Sequence, residues 1–285
     1  LTIEIIRYEA KQAEEWDAFV RQSETACLFH EYRYRRVVEQ SFGHRAIYLG
    51  AIRDGELTAI LPLFAVNSLL FGRFLVSLPF VDYGGICSND SESTDLLLDT
   101  AEYLLRETRA DNVELRHQCA ALPGLHTRTN KVNVALPLPK DSETAWRNFR
   151  PEIRNRVRRA RKAGLTFEAS GLGLLGDFYR VFSQCWRDMG TPVYPRSFFR
   201  ILLEAFADCS EVFVVRSESK PIAGAIATYF RDIMEIPWPC SLRAYWDNCP
   251  NNLLYWEAIR RGCERGYKSF HFGRSSKGSG THTFK

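Results

Sequence analysis

The stretch AIYLGAIRDGELTAILPLFAV, Ala46–Val66, decides the reading of the fold. Two apolar runs flank the polar turn Arg53-Asp54-Gly55-Glu56. Asp-Gly between such runs is a hairpin signature, because a two-residue turn of matching twist needs positive φ at its centre. About 164 residues further on, EVFVVRSESKPIAGAIATYF, Glu211–Phe230, repeats the plan with Arg216–Lys220 at its turn. The elements downstream of each hairpin repeat as well. After an irregular stretch comes a long amphipathic pattern, Ser93–Arg109 in the first half and Asn251–Arg265 in the second, and then an apolar strand, NVELRH or KSFHF. Two copies of strands, hairpin, helix and strand predict an α/β chain of mixed α+β character, made of two tandem domains, each a mixed sheet flanked by helices. Residues 136–142, LPLPKDS, set two prolines and polar residues between regular elements, so the expected division is 1–140 and 141–285.

With 285 residues, 45% of them apolar and 25% charged, the chain is long enough for two ordinary cores. Its longest charge-free apolar run, Leu57–Gly72, is short for a membrane span and contains Pro62 and Asn67, so it reads as buried strand. The eight cysteines form no C-x-x-C pair and are expected as reduced thiols. No closely spaced His or Cys residues suit zinc, and no metal is expected. No signal-peptide pattern opens the sequence, which makes the cytoplasm the expected compartment.

The net charge is +4, yet the thirteen residues Arg150–Lys162 carry seven Arg or Lys against Glu152 alone, a local +6 that leaves −2 for the rest. A duplex-DNA binder spreads positive charge over a face, because its affinity comes from neutralising many phosphates. One basic segment points instead to one anionic ligand, and away from DNA. Pro151 suits a first helical turn and Gly164 an end, so a helix of about thirteen residues is expected, with a narrow apolar seam of Ile153, Val157 and Ala160. Arg154, Arg158, Arg161 and Lys162 fall together beside that seam, and Arg156 and Arg159 on the far side. Cations without acidic partners at i to i+4 repel one another, which an anion would relieve.

Phe270–Lys285, FHFGRSSKGSGTHTFK, is expected as a strand running into a Gly- and Ser-rich loop. There backbone N–H groups, with Arg274, Ser275 and Lys277, suit phosphate or carboxylate oxygens. It is not a P-loop, since Ser279 follows Gly278 where Lys is needed. Neither H-E-x-x-H nor G-x-S-x-G occurs, so the chemistry should rest on alignment and charge stabilisation. Glu235, beside IPWP, is a candidate general base.

The segments RPEIRNRVRRARKAGL (150–165), CPNNLLYWEAIRRGCERGYKSFHFGRS (249–275) and GSGTHTFK (278–285) together resemble the FemAB/FemX family of non-ribosomal aminoacyltransferases. Within it, the chain looks like the FemAB-related proteins associated with exopolysaccharide and PEP-CTERM/exosortase systems. The resemblance spans essentially the whole chain and is strongest after Phe149. It implies two domains of the GCN5-related N-acyltransferase (GNAT) fold, the second a BioF2-like acetyltransferase domain. It also implies transfer of an amino acid from aminoacyl-tRNA to the side-chain amine of a lipid- or nucleotide-linked peptidoglycan precursor.

Residue by residue, the resemblance places a substrate-binding arginine at Arg154, with Arg158 and Arg161 in the same sector, and a substrate tyrosine at Tyr194 in GTPVYPRSFF. An acidic substrate contact falls at Asp82 in LPFVDYGG, beside Tyr83 and a flexible Gly84-Gly85, and an oxyanion-stabilising lysine at Lys285, after Phe284. No tightly bound cofactor is implied. Aminoacyl-tRNA or acyl-CoA is the co-substrate, the anionic envelope precursor and tRNA are the partners, and peripheral contact at the inner face of a membrane is compatible with them. One departure stands out. No insertion near LLEAFADCSEVFVV matches the long helical arm of FemA and FemB. SLRAYWDNCPNN, in turn, lacks the glycines of the Q/R-x-x-G-x-G/A turn that receives CoA pyrophosphate, which ranks acyl-CoA-dependent N-acetylation second. The alternative of another class is a non-catalytic binder of anionic saccharide or nucleic acid.

Overall fold

Each hairpin turns through two residues. In the first, Arg53 pairs with Glu56 across Asp54 (φ 53°) and Gly55 (φ 84°), the left-handed pair that Asp-Gly supplies. In the second, Ser217 pairs with Lys220 across Glu218 (φ 53°) and Ser219. The computed structural model describes residues 2–68, 72–118, 122, 124–278 and 280, and the chain divides into two units, Leu1–Arg128 and Thr129–Lys285.

The first unit runs β1 (Ile3–Arg7), α1 (Ala13–Gln22), α2 (Arg33–Phe42), β2 (Arg45–Arg53), β3 (Glu56–Ser68), β4 (Gly72–Ser77), β5 (Cys87–Ser88), α3 (Ser91–Thr108) and β6 (Asn112–Glu114). Its sheet has the order β1-β2-β3-β4-β6, antiparallel except for the parallel pair β4·β6, with β5 added on β3. α3 is capped by Asp90, whose carboxylate accepts from Ser93 N at 2.8 Å. Its Leu97, Ala101 and Leu104, spaced to share one helical face, bury against Leu49, Leu61 and Leu75. On the opposite face of the sheet Trp16 of α1 lies 4.8 Å from Tyr48 and donates to His30 O at 2.7 Å.

The second unit runs β7 (Lys131–Pro137), α4 (Ser142–Asn148), α5 (Pro151–Lys162), β8 (Leu165–Ser170), α6 (Leu175–Asp188), α7 (Arg196–Ala205), β9 (Ser210–Ser217), β10 (Lys220–Phe230), β11 (Ile233–Glu235), β12 (Cys240–Ser241), α8 (Pro250–Glu264) and β13 (Ser269–Ser276). From β8 the sheet takes three antiparallel steps to β11 and then the parallel step to β13, while β12 adds to β10 as β5 adds to β3. The repeat that two hairpins announce therefore runs through the whole sheet.

β7 is the addition. It bonds β13 from Pro137↔Ser269 to Lys131↔Ser276, and its Val134 and Leu136 pack on the second core. Those alternating apolar side chains have their burial in the second unit, so the division falls at Arg128/Thr129 rather than at the expected 140/141. α8 covers one face of this sheet, Tyr255 standing 5.2 Å from Phe272. α6 covers the other, its Phe178 so near β10 that a Cβ on Gly224 would lie 3.3 Å from Phe178 Cδ2 and 3.0 Å from Phe213 O. Among the described residues no helix is long and apolar enough to cross a membrane.

Candidate active site

β11 and β12 are one interrupted strand. Both run antiparallel to β10, Ile233–Glu235 beside Phe230–Thr228 and Cys240–Ser241 beside Gly224–Ala223, and Ile236–Pro239 swing out between them. Pro237 and Pro239 have no N–H to give to a ladder, which accounts for the interruption. β13 accompanies the first piece only. Ile233, Met234 and Glu235 pair with Ser269, Phe270 and His271, and Ile236 N still donates to His271 O at 3.1 Å. Beyond that rung no strand among the described residues pairs with β13 on this side. The sheet thus opens into a cleft between β12 and β13, closed at one end by Glu235 and His271.

Residues in register on parallel strands project to the same side. Met234, Ile236, Phe270 and Phe272 belong to the core beneath α8, so Glu235 and His271 project from the opposite face. Both are buried, at 7% and 9% exposure. Burial holds the His271 imidazole below its ordinary pKa, so it is neutral at pH 7. Glu235 is the candidate base read from the sequence, whereas His271 escaped that reading. Its one signal is a lone polar side chain between Phe270 and Phe272.

α5 forms where the sequence predicts it, with Val157 and Ala160 fully buried in the core it shares with α8. Its cations meet different fates. Arg161 Nη2 donates to Glu257 Oε1 of α8 at 2.9 Å, and Arg260 Nε donates to the other oxygen of that buried carboxylate, also at 2.9 Å. Arg161 is therefore a strut between two helices. Arg158 donates to Asn155 at 3.0 Å and lies 5.7 Å from the centre of the Trp146 ring. Arg156, Arg159 and Lys162 are exposed. Arg154 is half-buried, and its buried Nε meets no acceptor. Such an unmet donor costs about 1–3 kcal/mol, and an anion would satisfy it. The sector grouped by helical periodicity thus divides into one strut, one stacked guanidinium, one unmet donor and the exposed Lys162.

Tyr194, between α6 and α7, has its ring 4.8 Å from Trp186 and 5.4 Å from Phe198. Phe198 in turn lies 5.7 Å from Trp238 of the Ile236–Pro239 excursion, so Tyr194 belongs to an aromatic cluster that reaches the interrupted strand. Arg274 and Ser275 are not in a loop as expected. β13 continues past a bulge at Phe272–Gly273 and pairs Arg274 with Asn133 and Ser275 with Val132, because β7 supplies a ladder that no local sequence signal announces. Arg274 is exposed, and Ser275 is buried with its Oγ unbonded. Lys285, with Phe284, lies outside the described residues.

In the first unit the matching interruption falls between β4 and β5, and Leu78–Ile86 fill it. Gly84 N donates to Arg116 O at 2.7 Å, Arg116 Nη1 to Val81 O at 2.9 Å, Tyr34 OH to Pro79 O at 2.6 Å and Ile86 N to His117 Nε2 at 3.0 Å. His30 Nδ1 accepts from Cys27 N at 3.0 Å, which leaves Nε2 protonated to donate to Gly85 O at 3.1 Å. Leu78 (φ 44°) and Phe80 (φ 71°) sit in the left-handed region, at a cost of about 1–3 kcal/mol each that these anchors must offset. The expected flexibility of Gly84-Gly85 gives way to close approach. A Cβ on Gly84 would stand 2.2 Å from Leu78 Cδ1, and one on Gly85 would stand 2.5 Å from His117 Cδ2. Asp82 is half-buried and Tyr83 buried on this fixed loop. The anchors His30, Tyr34, Arg116 and His117 come from sequence positions far from the loop, with no local pattern to flag them.

Residues 147–285 match the family model described as an acetyltransferase (GNAT) domain. Comparison with curated proteins gives no sequence match. Among solved structures FemX superposes with a TM-score of 0.71 at 15% identity, covering 99% of this chain and 92% of its own. The C-terminal domain (DUF2156) of an Agrobacterium fabrum protein described as a putative lysylphosphatidylglycerol synthetase gives 0.58 at 15% identity, covering 94% and 79%. A tandem GNAT protein from the clavulanic acid biosynthesis pathway gives 0.57 at 8% identity, covering 99% and 93%. The fold is FemX-like, a tandem of two GNAT-like units, and the second unit is an acyltransferase domain.

Proposed function

We propose that the chain transfers an activated acyl or aminoacyl group to an amine of an anionic, nucleotide- or lipid-linked precursor of the cell envelope or of an exopolysaccharide. The observation that carries this reading is the presence, in one acyltransferase unit, of a strand cleft and a cation-rich helix whose Arg154 keeps a buried donor unmet. Aminoacyl-tRNA, an ester, and acyl-CoA, a thioester, both arrive activated. The protein then has to align the amine with the carbonyl carbon and stabilise the tetrahedral oxyanion. A backbone N–H on the open side of the cleft suits the oxyanion, with Lys285 as the second candidate. Arg154, helped by Arg158, takes the acceptor's phosphates. Tyr194, Arg274 and Ser275 in the second unit, and Asp82 and Tyr83 on the fixed loop of the first, are the further proposed contacts. A lipid-linked acceptor would bring a cytoplasmic chain to the inner face of a membrane, and the likeness to a lysylphosphatidylglycerol synthetase suits an acceptor of that kind.

Acyl-CoA-dependent N-acetylation is the second reading, favoured by the acetyltransferase domain that residues 147–285 match. Thermal unfolding with CoA, with aminoacyl-tRNA and with a UDP-linked muropeptide separates the two, because a ligand that binds the folded state alone raises its stability. Stabilisation by CoA and not by aminoacyl-tRNA would give the second reading first place. Product formation should be lost in an Arg154→Ala variant that still folds. Unchanged turnover would remove the acceptor site from α5.

A further inference from the structure

We propose that His271 is the general base of the transfer and that Glu235 orients it, an inference that rests on the acyltransfer reading above. Amine attack on an ester or thioester needs a group that removes a proton from nitrogen as the N–C bond forms. That group must be deprotonated beforehand, and it must lie within reach of the amine as the amine meets the acyl carbon.

His271 meets both conditions. It ends the stretch over which β11 and β13 stay paired, so its side chain stands at the closed end of the cleft, on the face away from α8. Burial keeps it neutral at pH 7. Glu235 occupies the register position beside it and projects to the same side. On the other flank, β7 presents Asn133, Ala135 and Pro137 to this face, none of which carries charge. Along β13 itself the next charged side chain is Arg274, which is exposed. Glu235, in register beside it, is the acidic side chain placed to fix the imidazole tautomer and to stabilise the imidazolium, as a carboxylate does for other working histidines.

The step balances without a further reagent. The neutral amine attacks the acyl carbon, His271 takes one proton from nitrogen, and the tetrahedral intermediate collapses with cleavage of the C–O or C–S bond. The imidazolium returns the proton to the departing oxygen or sulfur, so histidine ends neutral.

The test compares wild type, His271→Gln and Glu235→Gln on whichever donor and acceptor wild type turns over, with kcat followed against pH. Expected are a fall of about 10²- to 10⁴-fold in kcat for His271→Gln with acceptor KM little changed, and loss of the acid limb seen in wild type. Glu235→Gln should move that limb to lower pH with a smaller fall in kcat. Millimolar imidazole should restore part of the activity of His271→Ala, which a merely structural role would not allow. If His271→Gln fails to fold, the limb of wild type and its displacement in Glu235→Gln decide the matter. A limb that follows the amine's own pKa when the acceptor is changed would overturn the proposal. Equally decisive would be His271→Gln turnover within about threefold of wild type, far short of the loss expected of a general base. Absence of turnover by wild type with every donor and acceptor would instead sink the acyltransfer reading, and this inference with it.

Discussion

Replacing Arg154 by methionine should raise the stability of the protein and abolish its response to diphosphate. The half-buried guanidinium holds an Nε with no acceptor, and removing that unmet donor returns about 1–3 kcal/mol. Relief of like-charge spacing with Arg158 and Arg150 adds about 0.2–0.5 kcal/mol for each pair. Methionine keeps an unbranched apolar stem, so the packing along α5 survives and little is subtracted. A net gain of about 1–3 kcal/mol is expected, at roughly 2–4 °C of melting temperature per kcal/mol for a chain of this size. Circular dichroism melts with and without millimolar pyrophosphate measure both effects. Wild type should gain about 1.4 kcal/mol when the ligand is at tenfold its dissociation constant, and Arg154→Met should gain nothing. A lower melting temperature for the variant would mean that the Nε is satisfied in solution. Equal pyrophosphate stabilisation of both proteins would place the anion elsewhere.

Three further outcomes are open to measurement. Glu257→Gln removes the carboxylate shared by Arg161 and Arg260 and should cost about 1.5–3 kcal/mol; a change below about 0.5 kcal/mol, the size of an ordinary surface substitution, would show that the strut between α5 and α8 is idle. Gly85→Ala drives a methyl group into the His117 ring, so amide exchange across residues 78–88 should accelerate and stability fall by about 1–3 kcal/mol; unchanged exchange would mean that the loop tolerates the contact. Burial lowers the pKa of His271, as it does for His44 and His117. As pH falls below about 6.5 the unfolded chain therefore binds protons first. The contribution of these three histidines should be full above that pH and decline below it, levelling only under their folded-state values. Denaturant melts of His271→Gln should show a shallower decline than wild type, and an identical slope would contradict the shift.

Much of the architecture could be read in advance because its signals are local. Asp54-Gly55 sets a turn whatever lies elsewhere, and the spacing of Leu97, Ala101 and Leu104 sets a helical face by itself. α5 was legible to within a residue for the same reason. β7 was not, because KVNVALP alternates like an edge strand yet runs straight into LPLPKDS, which reads as a linker, and its partner β13 lies more than a hundred residues away. The loop expected at Arg274 and Ser275 is strand for the same reason, since glycine and serine suggest a loop until a neighbouring strand pairs with them. The same limit governs the site. Helical periodicity put Arg154, Arg158 and Arg161 in one sector, but Glu257, which claims Arg161, sits 96 residues on. Charge alone could not tell a strut from a ligand contact. His271 lay in plain view, and its meaning came only from the rung it shares with Glu235.

The interrupted strand occurs in both units, and it is treated differently in each. In the second, Ile236–Pro239 make a brief detour, and among the described residues no strand enters the gap beside β13. In the first, Leu78–Ile86 fold back and Gly84 bridges Arg116, so the chain itself fills the corresponding gap beside β6. A protein doubled in architecture should therefore behave as single in stoichiometry. Calorimetric titration with its donor should end at one equivalent per chain, and changes in the Leu78–Ile86 loop should alter which acceptor is chosen without altering that count.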